Sequence, residues 1–299
     1  MDLTKYRHIV FIGERTLQEQ QPNNRRATVT FQDFDNIGAQ SGGWSVAWQG
    51  YNGNYFWKDE YKKMSNASSI LDAVKTRVDI TRTELLYPQY SDPYNQDAVE
   101  QERKEFLSKL SKWKTLHREN TLVIGVMAED PYSEFMGDVN NPFCAGTTEF
   151  VEGCIYNAHG NMYLPDQQNT ELKLGYDDFA SQVLNKVKAA DPEIKMVHVV
   201  LSGRPVLTET REASVDALVA AWLPGTSGGE AIVSAINGEY MFRSEGDANK
   251  LPVEWLSSMD NLKNYPIYKT RSKERPEIPD PKYPIGYGLA TGISNLADS

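Results

Sequence analysis

The chain has 299 residues, 40% hydrophobic and 24% charged, an ordinary composition for a globular protein that buries a core. Its net charge is 31 − 41 = −10, which argues against nucleic acid or an anionic membrane as a partner, since both reward clustered Lys and Arg. The first residues lack the apolar core of a signal peptide, and no run approaches the roughly 20 apolar residues that span a bilayer. We therefore expect a soluble chain, and a mature extracellular form fits these features as well as an intracellular one.

Strand and helix patterns alternate along the chain. Short apolar runs predict strands, and apolar residues at helical spacing predict helices. The predicted strands are 9–12, 83–87, 121–127, 196–201 and 217–223, and the predicted helices are 69–78, 97–116, 176–190 and 227–237, the last with a capping-box pattern at Ser227–Glu230. Such alternation indicates a mostly parallel sheet with helices on both faces, whose functional residues gather at the carboxyl ends of the strands.

Three long stretches interrupt this pattern. Residues 14–34 are polar and are typical of an insertion or flexible loop, 51–66 are rich in Tyr, Phe and Trp, and 139–175 are rich in Asn, Gly and Asp. An exposed aromatic insertion is typical of either a carbohydrate platform or a protein interface. No internal repeat or inter-domain linker is evident, so the sequence predicts one domain over 1–299.

Acidic residues follow the third predicted strand in the stretch E-D-P-Y-S-E-F-M-G-D, which begins at Glu129. A catalytic acid is often presented in this way, at the end of a strand. The two cysteines, Cys144 and Cys154, are compatible with a disulfide or with two free thiols, but their spacing is not that of a metal or redox site. The sequence therefore predicts neither a metal nor a cofactor. A glycosylation sequon at Asn66 matters only if the chain is secreted.

Six blocks of sequence carry a resemblance to a known family. They are D-N-I-G-A-Q-S-G-G-W-S-V-A-W-Q-G, S-I-L-D-A-V-K, E-D-P-Y-S-E-F-M-G-D, V-V-L-S-G-R-P-V, D-A-L-V-A-A-W-L-P-G-T-S-G-G-E-A-I and Y-P-I-G-Y-G-L. In this order they resemble the second domain of glycoside hydrolase family 3, which contains β-glucosidases and exo-β-glucan hydrolases. The resemblance implies an α/β fold, a three-layer α/β sandwich around a mostly parallel sheet of about six strands, here with the three long insertions.

The resemblance also implies roles for individual residues. Glu134 matches the family's acid/base glutamate, either still used or vestigial. Asp138 matches the same motif and is expected to hold the loop by hydrogen bonds to backbone N–H groups and to lie among the substrate-binding residues. Trp48 matches a tryptophan that stacks on a sugar at the leaving-group side, whereas Trp222 is expected in the core. Arg204 is expected near the substrate, where it could hold a carboxylate or the acid/base loop through a buried or half-buried ion pair.

The residues that resemble the family do not include its barrel. Family enzymes begin with a (β/α)₈ barrel that supplies the aspartate nucleophile, and a retaining glycosidase needs two carboxyl groups roughly 5 Å apart. We therefore expect the chain alone to be inactive and to act as a non-catalytic glycan-associated or self-assembling structural protein, with itself and a β-glucan or other glycan as partners. The alternative is an acid/base-bearing subunit or fragment of a β-glucosidase or exo-β-glucanase whose barrel is on a separate chain.

Overall fold

The computed structural model describes residues 1–20, 26–43, 45, 50, 52–54, 67–110, 116–129, 131, 173–174, 177–208, 215–240, 250–255, 257–258 and 280–288. The helices are α1 Ile37–Ser41, α2 Ile70–Arg77, α3 Gln96–Leu110, α4 Asp178–Ala190 and α5 Gly228–Asn237, with 3₁₀ turns at Leu3–Lys5 and Asp33–Asp35. The strands are β1 His8–Ile12, β2 Glu14–Gln20, β3 Arg26–Gln32, β4 Glu84–Leu86, β5 Thr121–Ala128, β6 Lys173–Leu174, β7 Lys195–Leu201, β8 Leu207–Thr208 and β9 Ala217–Trp222.

The main sheet is parallel, as the sequence predicts. Its strand order is β4-β1-β5-β7-β9, so the described residues contribute five strands where the resemblance implied about six. All four pairings are parallel. The central strand, β5, is buried along its whole length, which explains its continuous apolar run, because a parallel strand is covered on both faces.

Two helical layers cover the sheet, one on each face. Alternate residues of β1 separate the two cores, because Ile9 and Phe11 pack with α2 and α5, whereas Val10 and Ile12 pack with α3 and α4. The three-layer α/β sandwich is therefore confirmed. Helix α3 is shorter than predicted, because Leu116 is not helical, yet Leu116 is buried in the same core as α3.

The interpretation of 14–34 as a flexible loop is wrong for most of its residues, whereas the alternative of an insertion stays a prediction. Strands β2 and β3 form an antiparallel hairpin that begins directly after β1. Gly13 makes this exit possible, because its φ is +123° and a Cβ there would lie 1.9 Å from the Val126 carbonyl oxygen. Of the other two insertions the structure describes only 52–54 and 173–174, and the latter form β6, which pairs with β8.

Helices α2 and α5 begin differently. Ser69 and Asp72 form a capping box at the start of α2, as a sequence of this kind favours. The capping box predicted at Ser227 is wrong, because the Ser227 side chain makes no capping hydrogen bond. Close packing replaces it, since a Cβ on Gly229 would lie 2.1 Å from the Ser69 carbonyl oxygen. The glycine thus lets the two helices approach each other.

Trp222 ends β9 and departs from the core position expected of it. Its side chain is half-buried, its φ is +56°, and its ring packs against buried Trp255 with the centroids 5.9 Å apart. A bulky residue in the left-handed region is unusual and marks a constrained strand end. None of the helices in the described ranges is long and apolar enough to cross a membrane.

Candidate functional site

The chain reverses its winding direction between β1 and β5. From β1 it crosses to β4 on one side, and from β5 it continues to β7 and β9 on the other. In open parallel sheets, ligands bind in the crevice at such a point, outside the carboxyl ends of the strands. Glu14 follows β1 here, Glu129 follows β5, and Ser202 and Arg204 follow β7.

Glu129 is held by residues that follow the neighbouring strand. Its buried carboxylate accepts hydrogen bonds from Arg204, with Nε 2.9 Å from Oε1 and Nη2 also in contact, and from the Ser202 hydroxyl. Its backbone N–H donates to the Leu201 carbonyl oxygen at 2.9 Å. A charge-assisted pair of this kind is strong because both groups are shielded from water. It fixes the point at which the chain leaves β5 toward Glu134.

Asp33 holds the end of β5 from the other side. Its carboxylate accepts a hydrogen bond from the Ala128 N–H at 3.1 Å, and Arg15 Nε donates to the same carboxylate at 2.8 Å. The Asp33 N–H donates to the Gly13 carbonyl oxygen at 3.0 Å. Asp33 therefore connects the end of β1, through its backbone N–H, with the end of β5 and the hairpin, through its buried carboxylate.

Asparagines fix the short segment 52–54. The Asn36 side-chain oxygen accepts from the Gly53 N–H at 2.7 Å, and it also caps α1 through the Ala39 N–H at 2.9 Å. Asn54 Nδ2 donates to the Asp35 carboxylate at 2.9 Å. Because 52–54 follows Trp48 closely in sequence, these contacts anchor the chain just beyond that tryptophan.

Glu14 is buried at the start of the hairpin. Arg103 Nε of α3 donates to its Oε1 at 2.7 Å, and the Tyr90 hydroxyl contacts its Oε2. Arg103 Nη2 reaches Asp177, the N-cap of α4, at 3.2 Å. Burial raises the pKa of Glu14 to about 7, and the charge of Arg103 and the hydrogen bond from Tyr90 offset only part of that increase. One cluster therefore joins the hairpin to both helices of a layer.

Comparison with protein families identifies this architecture. The description "Glycosyl hydrolase family 3 C-terminal domain" matches residues 4–291. The chain belongs to this family. The match covers nearly the whole chain and confirms the resemblance that the sequence blocks indicated.

Individual relatives of this family 3 domain are glycosidases. This chain is 29% identical over 150 residues to a xylan 1,4-beta-xylosidase of Xylanibacter ruminicola, and the match covers 50% of this chain and 16% of that protein. It is 29% identical over 119 residues to a periplasmic beta-glucosidase of Salmonella typhimurium, covering 34% of this chain and 14% of that protein.

Solved structures similar to this family 3 domain include two glycosidases. The exo-1,3/1,4-beta-glucanase of a Pseudoalteromonas species is 20% identical, with a TM-score of 0.48, covering 97% of this chain and 25% of that chain. The beta-glucosidase of Listeria innocua in complex with gluconolactone is 13% identical, with a TM-score of 0.49, covering 97% of this chain and 30% of that chain. The chain thus spans less than a third of these relatives.

The predicted site residues of this family 3 domain divide into two groups. Glu134, Asp138 and Trp48 lie outside the described residues, as do Trp44, Cys144, Cys154 and Asn66. Arg204 is described, and the ion pair expected of it is present, with Glu129 as its partner. A contact of Arg204 with substrate stays a prediction.

Sequence reasoning missed the residues that anchor the crevice of this family 3 domain. Asp33 and Glu14 fell inside a stretch interpreted as a loop, although Glu14 directly follows the first predicted strand. Arg103 lies on a helix with many charged residues and carries no distinguishing sequence signal. Among the described residues, no group of three or more His, Cys, Asp or Glu side chains could hold a metal ion.

Proposed function

We propose that this chain is a glycan-associated family 3 domain that does not hydrolyse glycosides by itself. In this proposal, Glu134 keeps the position of an acid/base residue, and Trp48 contacts a sugar on the leaving-group side. Protonation of a leaving oxygen by one carboxyl group is insufficient for retaining hydrolysis, because a second carboxyl group roughly 5 Å away must trap the sugar.

One observation carries this proposal: the carboxylates at the carboxyl edge of the sheet accept hydrogen bonds from other residues of the fold. Glu14 is held by Arg103 and Tyr90, and Glu129 is held by Arg204 and Ser202. Asp33 and Asp35 bind groups of the adjoining loops in the same way. A nucleophile needs a lone pair directed at the sugar, so these carboxylates, whose oxygens already accept hydrogen bonds from the fold, favour an anchoring role.

Glycan binding is tested by titrating the chain with laminari-, cello- and xylo-oligosaccharides while following tryptophan fluorescence. We expect a saturable change that Trp48→Ala removes and Trp48→Phe partly keeps, because the smaller ring still offers an aromatic face. A response that Trp48→Ala leaves unchanged would remove Trp48 from the proposal. No response to any of the sugars would overturn glycan association.

A second candidate function has one observation in its favour. The chain spans 25% and 30% of two solved relatives, so a separate polypeptide could supply what the remainder of those proteins provides. In that case the chain is the acid/base-bearing part of a β-glucosidase or exo-β-glucanase whose barrel is on another chain. Copurification of a barrel-bearing chain from the native source, with activity that requires both, would favour this function over the first.

We also propose that the chain associates with itself, in addition to its association with glycans. The aromatic stretch 51–66 is suited to a protein interface as well as to a sugar platform. Light scattering across a hundredfold range of concentration tests this self-association, and we expect the mass to exceed the 33.8 kDa of one chain at high concentration. A constant monomer mass would contradict it without affecting glycan association.

A further inference from the structure

A turn near the end of the described chain presents aromatic rings to solvent. It runs over Tyr283, Pro284, Ile285, Gly286 and Tyr287, and we call the side chains of Tyr283, Ile285 and Tyr287 the tyrosine platform. Tyr287 is 53% exposed and Ile285 is 50% exposed. Exposed aromatic and apolar side chains that lie side by side on one turn can mark a binding surface.

The two tyrosines form a stacked pair. Their ring centroids are 4.6 Å apart, and the ring planes differ by 23°. Tyr283 is half-buried and covers one face of the Tyr287 ring. About half of the Tyr287 side chain, 53%, remains accessible to solvent beside this stacked pair. An aromatic ring of this kind suits the C–H face of a pyranose ring, and the phenolic hydroxyl at its edge suits a sugar hydroxyl.

The backbone beneath the platform is rigid. Tyr287 N–H donates to the Pro284 carbonyl oxygen at 3.1 Å, and Leu251 exchanges hydrogen bonds with the turn at 2.8 and 2.9 Å. Gly286 has a φ of +80°, with nothing within 4 Å of the position of a Cβ, so the space above the turn is open. The platform is therefore preorganised, and binding to it loses little conformational entropy.

The same segment connects to the carboxyl end of β7. Trp255 N–H donates to the Tyr283 carbonyl oxygen at 2.9 Å, and the buried indole Nε1 of Trp255 donates to the Val206 carbonyl oxygen at 2.8 Å. Val206 lies two residues after Arg204, which pairs with Glu129. The platform is thus tied through Trp255 to the loop that borders the crevice.

We propose that the tyrosine platform is a second sugar-binding site, which takes a pyranose unit of a neutral β-linked oligosaccharide on the exposed side chain of Tyr287. This inference rests on the proposed glycan association and adds a site to it. A neutral ligand fits, because the three side chains of the platform, Tyr283, Ile285 and Tyr287, carry no charge. One pyranose face also matches the size of the platform, whereas a stable protein interface needs about 800 Å² from each partner.

The test is calorimetric titration of the 299-residue chain with cellohexaose, laminarihexaose and xylohexaose. We expect Tyr287→Ala to weaken binding of at least one hexaose roughly tenfold, which corresponds to about 1.4 kcal/mol, because it removes the aromatic surface on which the sugar would stack. Tyr287→Phe should keep most of the affinity, because it retains the ring. Tyr94→Ala is the matched control, since Tyr94 is 52% exposed, and it should leave binding unchanged.

Three results would overturn the platform. If Tyr287→Ala binds the hexaoses as tightly as the wild type, the platform is not a sugar-binding site. If Trp48→Ala still weakens binding in that case, the proposed function survives. A Tyr287→Ala variant that loses self-association but keeps hexaose binding makes the platform a protein interface instead. An absence of binding to all three hexaoses overturns both the platform and glycan association. Circular dichroism of each variant separates these results from a loss of folding.

Discussion

Two buried carboxylate–arginine pairs at the same edge of the sheet connect different elements of the fold. Glu129 and Arg204 join the ends of two neighbouring strands, with a backbone hydrogen bond between Glu129 and Leu201 beside them. Glu14 and Arg103 join the β2–β3 hairpin to helix α3, and Arg103 also reaches Asp177 at the start of α4. The first pair belongs to sequence blocks that resemble the family, whereas Glu14 begins the β2–β3 hairpin, outside those blocks.

The difference shows how a hairpin beside a crevice is held in place while the underlying strand ends stay fixed. The Glu129–Arg204 ion pair connects only the ends of two neighbouring strands, β5 and β7. The hairpin has no parallel neighbour in the main sheet. It is held instead by contacts from the segment after β4, through Tyr90, and from helix α3, through Arg103, which also contacts Asp177 at the N-terminus of α4. A buried charge on each side makes both pairs sensitive to the loss of one partner.

Removing one partner of the Glu129–Arg204 ion pair should have the largest effect on the free energy of unfolding. We expect Glu129→Ala to lower the free energy of unfolding by about 4 kcal/mol, because it deprives the largely buried Arg204 of this carboxylate. Urea unfolding of the wild type and the variant measures the difference. The double variant with Arg204→Ala should lose clearly less than the sum of the single losses, whereas simple additivity would show that the pair does not interact.

The Glu14–Arg103 pair should respond to pH. The folded-state pKa of Glu14 is raised to about 7, so the folded state holds an extra proton between about pH 4.5 and 7, and the contribution of Glu14 to stability falls as pH rises through that window. Relative to Glu14→Gln, the wild type should lose up to about 3 kcal/mol between pH 4.5 and 8. Unfolding free energies at a series of pH values for both proteins provide the comparison. A wild type that gains stability relative to Glu14→Gln as pH rises would show that Arg103 dominates the carboxylate instead.

The smallest expected effects come from the two hydroxyls that donate to these carboxylates. Ser202→Ala and Tyr90→Phe each remove one such donor without removing a charge. We expect each to lower the free energy of unfolding by about 2 kcal/mol, within the usual range of about 1.5–3 kcal/mol for a hydrogen bond to a charged group. Thermal unfolding monitored by circular dichroism can rank them. A loss above that of Glu129→Ala would mean that the hydroxyl, and not the ion pair, anchors the strand ends.

Sequence patterns predicted the elements that bury long apolar runs. Strands β5 and β7 and helices α2 and α4 lie within one or two residues of their predicted bounds, because hydrophobic periodicity depends on local sequence alone. The hairpin was missed because its strands are mostly polar and few of their side chains reach the core, which leaves little apolar alternation to detect. The β-branched run T-V-T in β3 was the available signal.

The contacts of the candidate site were predictable only in kind. An ion pair was expected of Arg204, but its partner lies 75 residues earlier, and Glu14 and Arg103 are 89 residues apart. Such pairs depend on strand order and on the side of the sheet to which each loop turns, and hydrophobic periodicity does not encode either. Resemblance to the family contributed the predicted role of Glu134, because that prediction depends on its place in a motif and not on its contacts.

Hydrolysis of 4-nitrophenyl β-glucoside and β-xyloside by the purified chain tests the central claim most directly. The wild type, Glu134→Gln and the exposed control Glu119→Gln are measured side by side over a range of pH. The account predicts that all three release nitrophenol at the rate of buffer alone, because retaining hydrolysis needs a second carboxyl group that the proposal assigns to another domain. Turnover by the wild type and by Glu119→Gln that disappears in Glu134→Gln would contradict it.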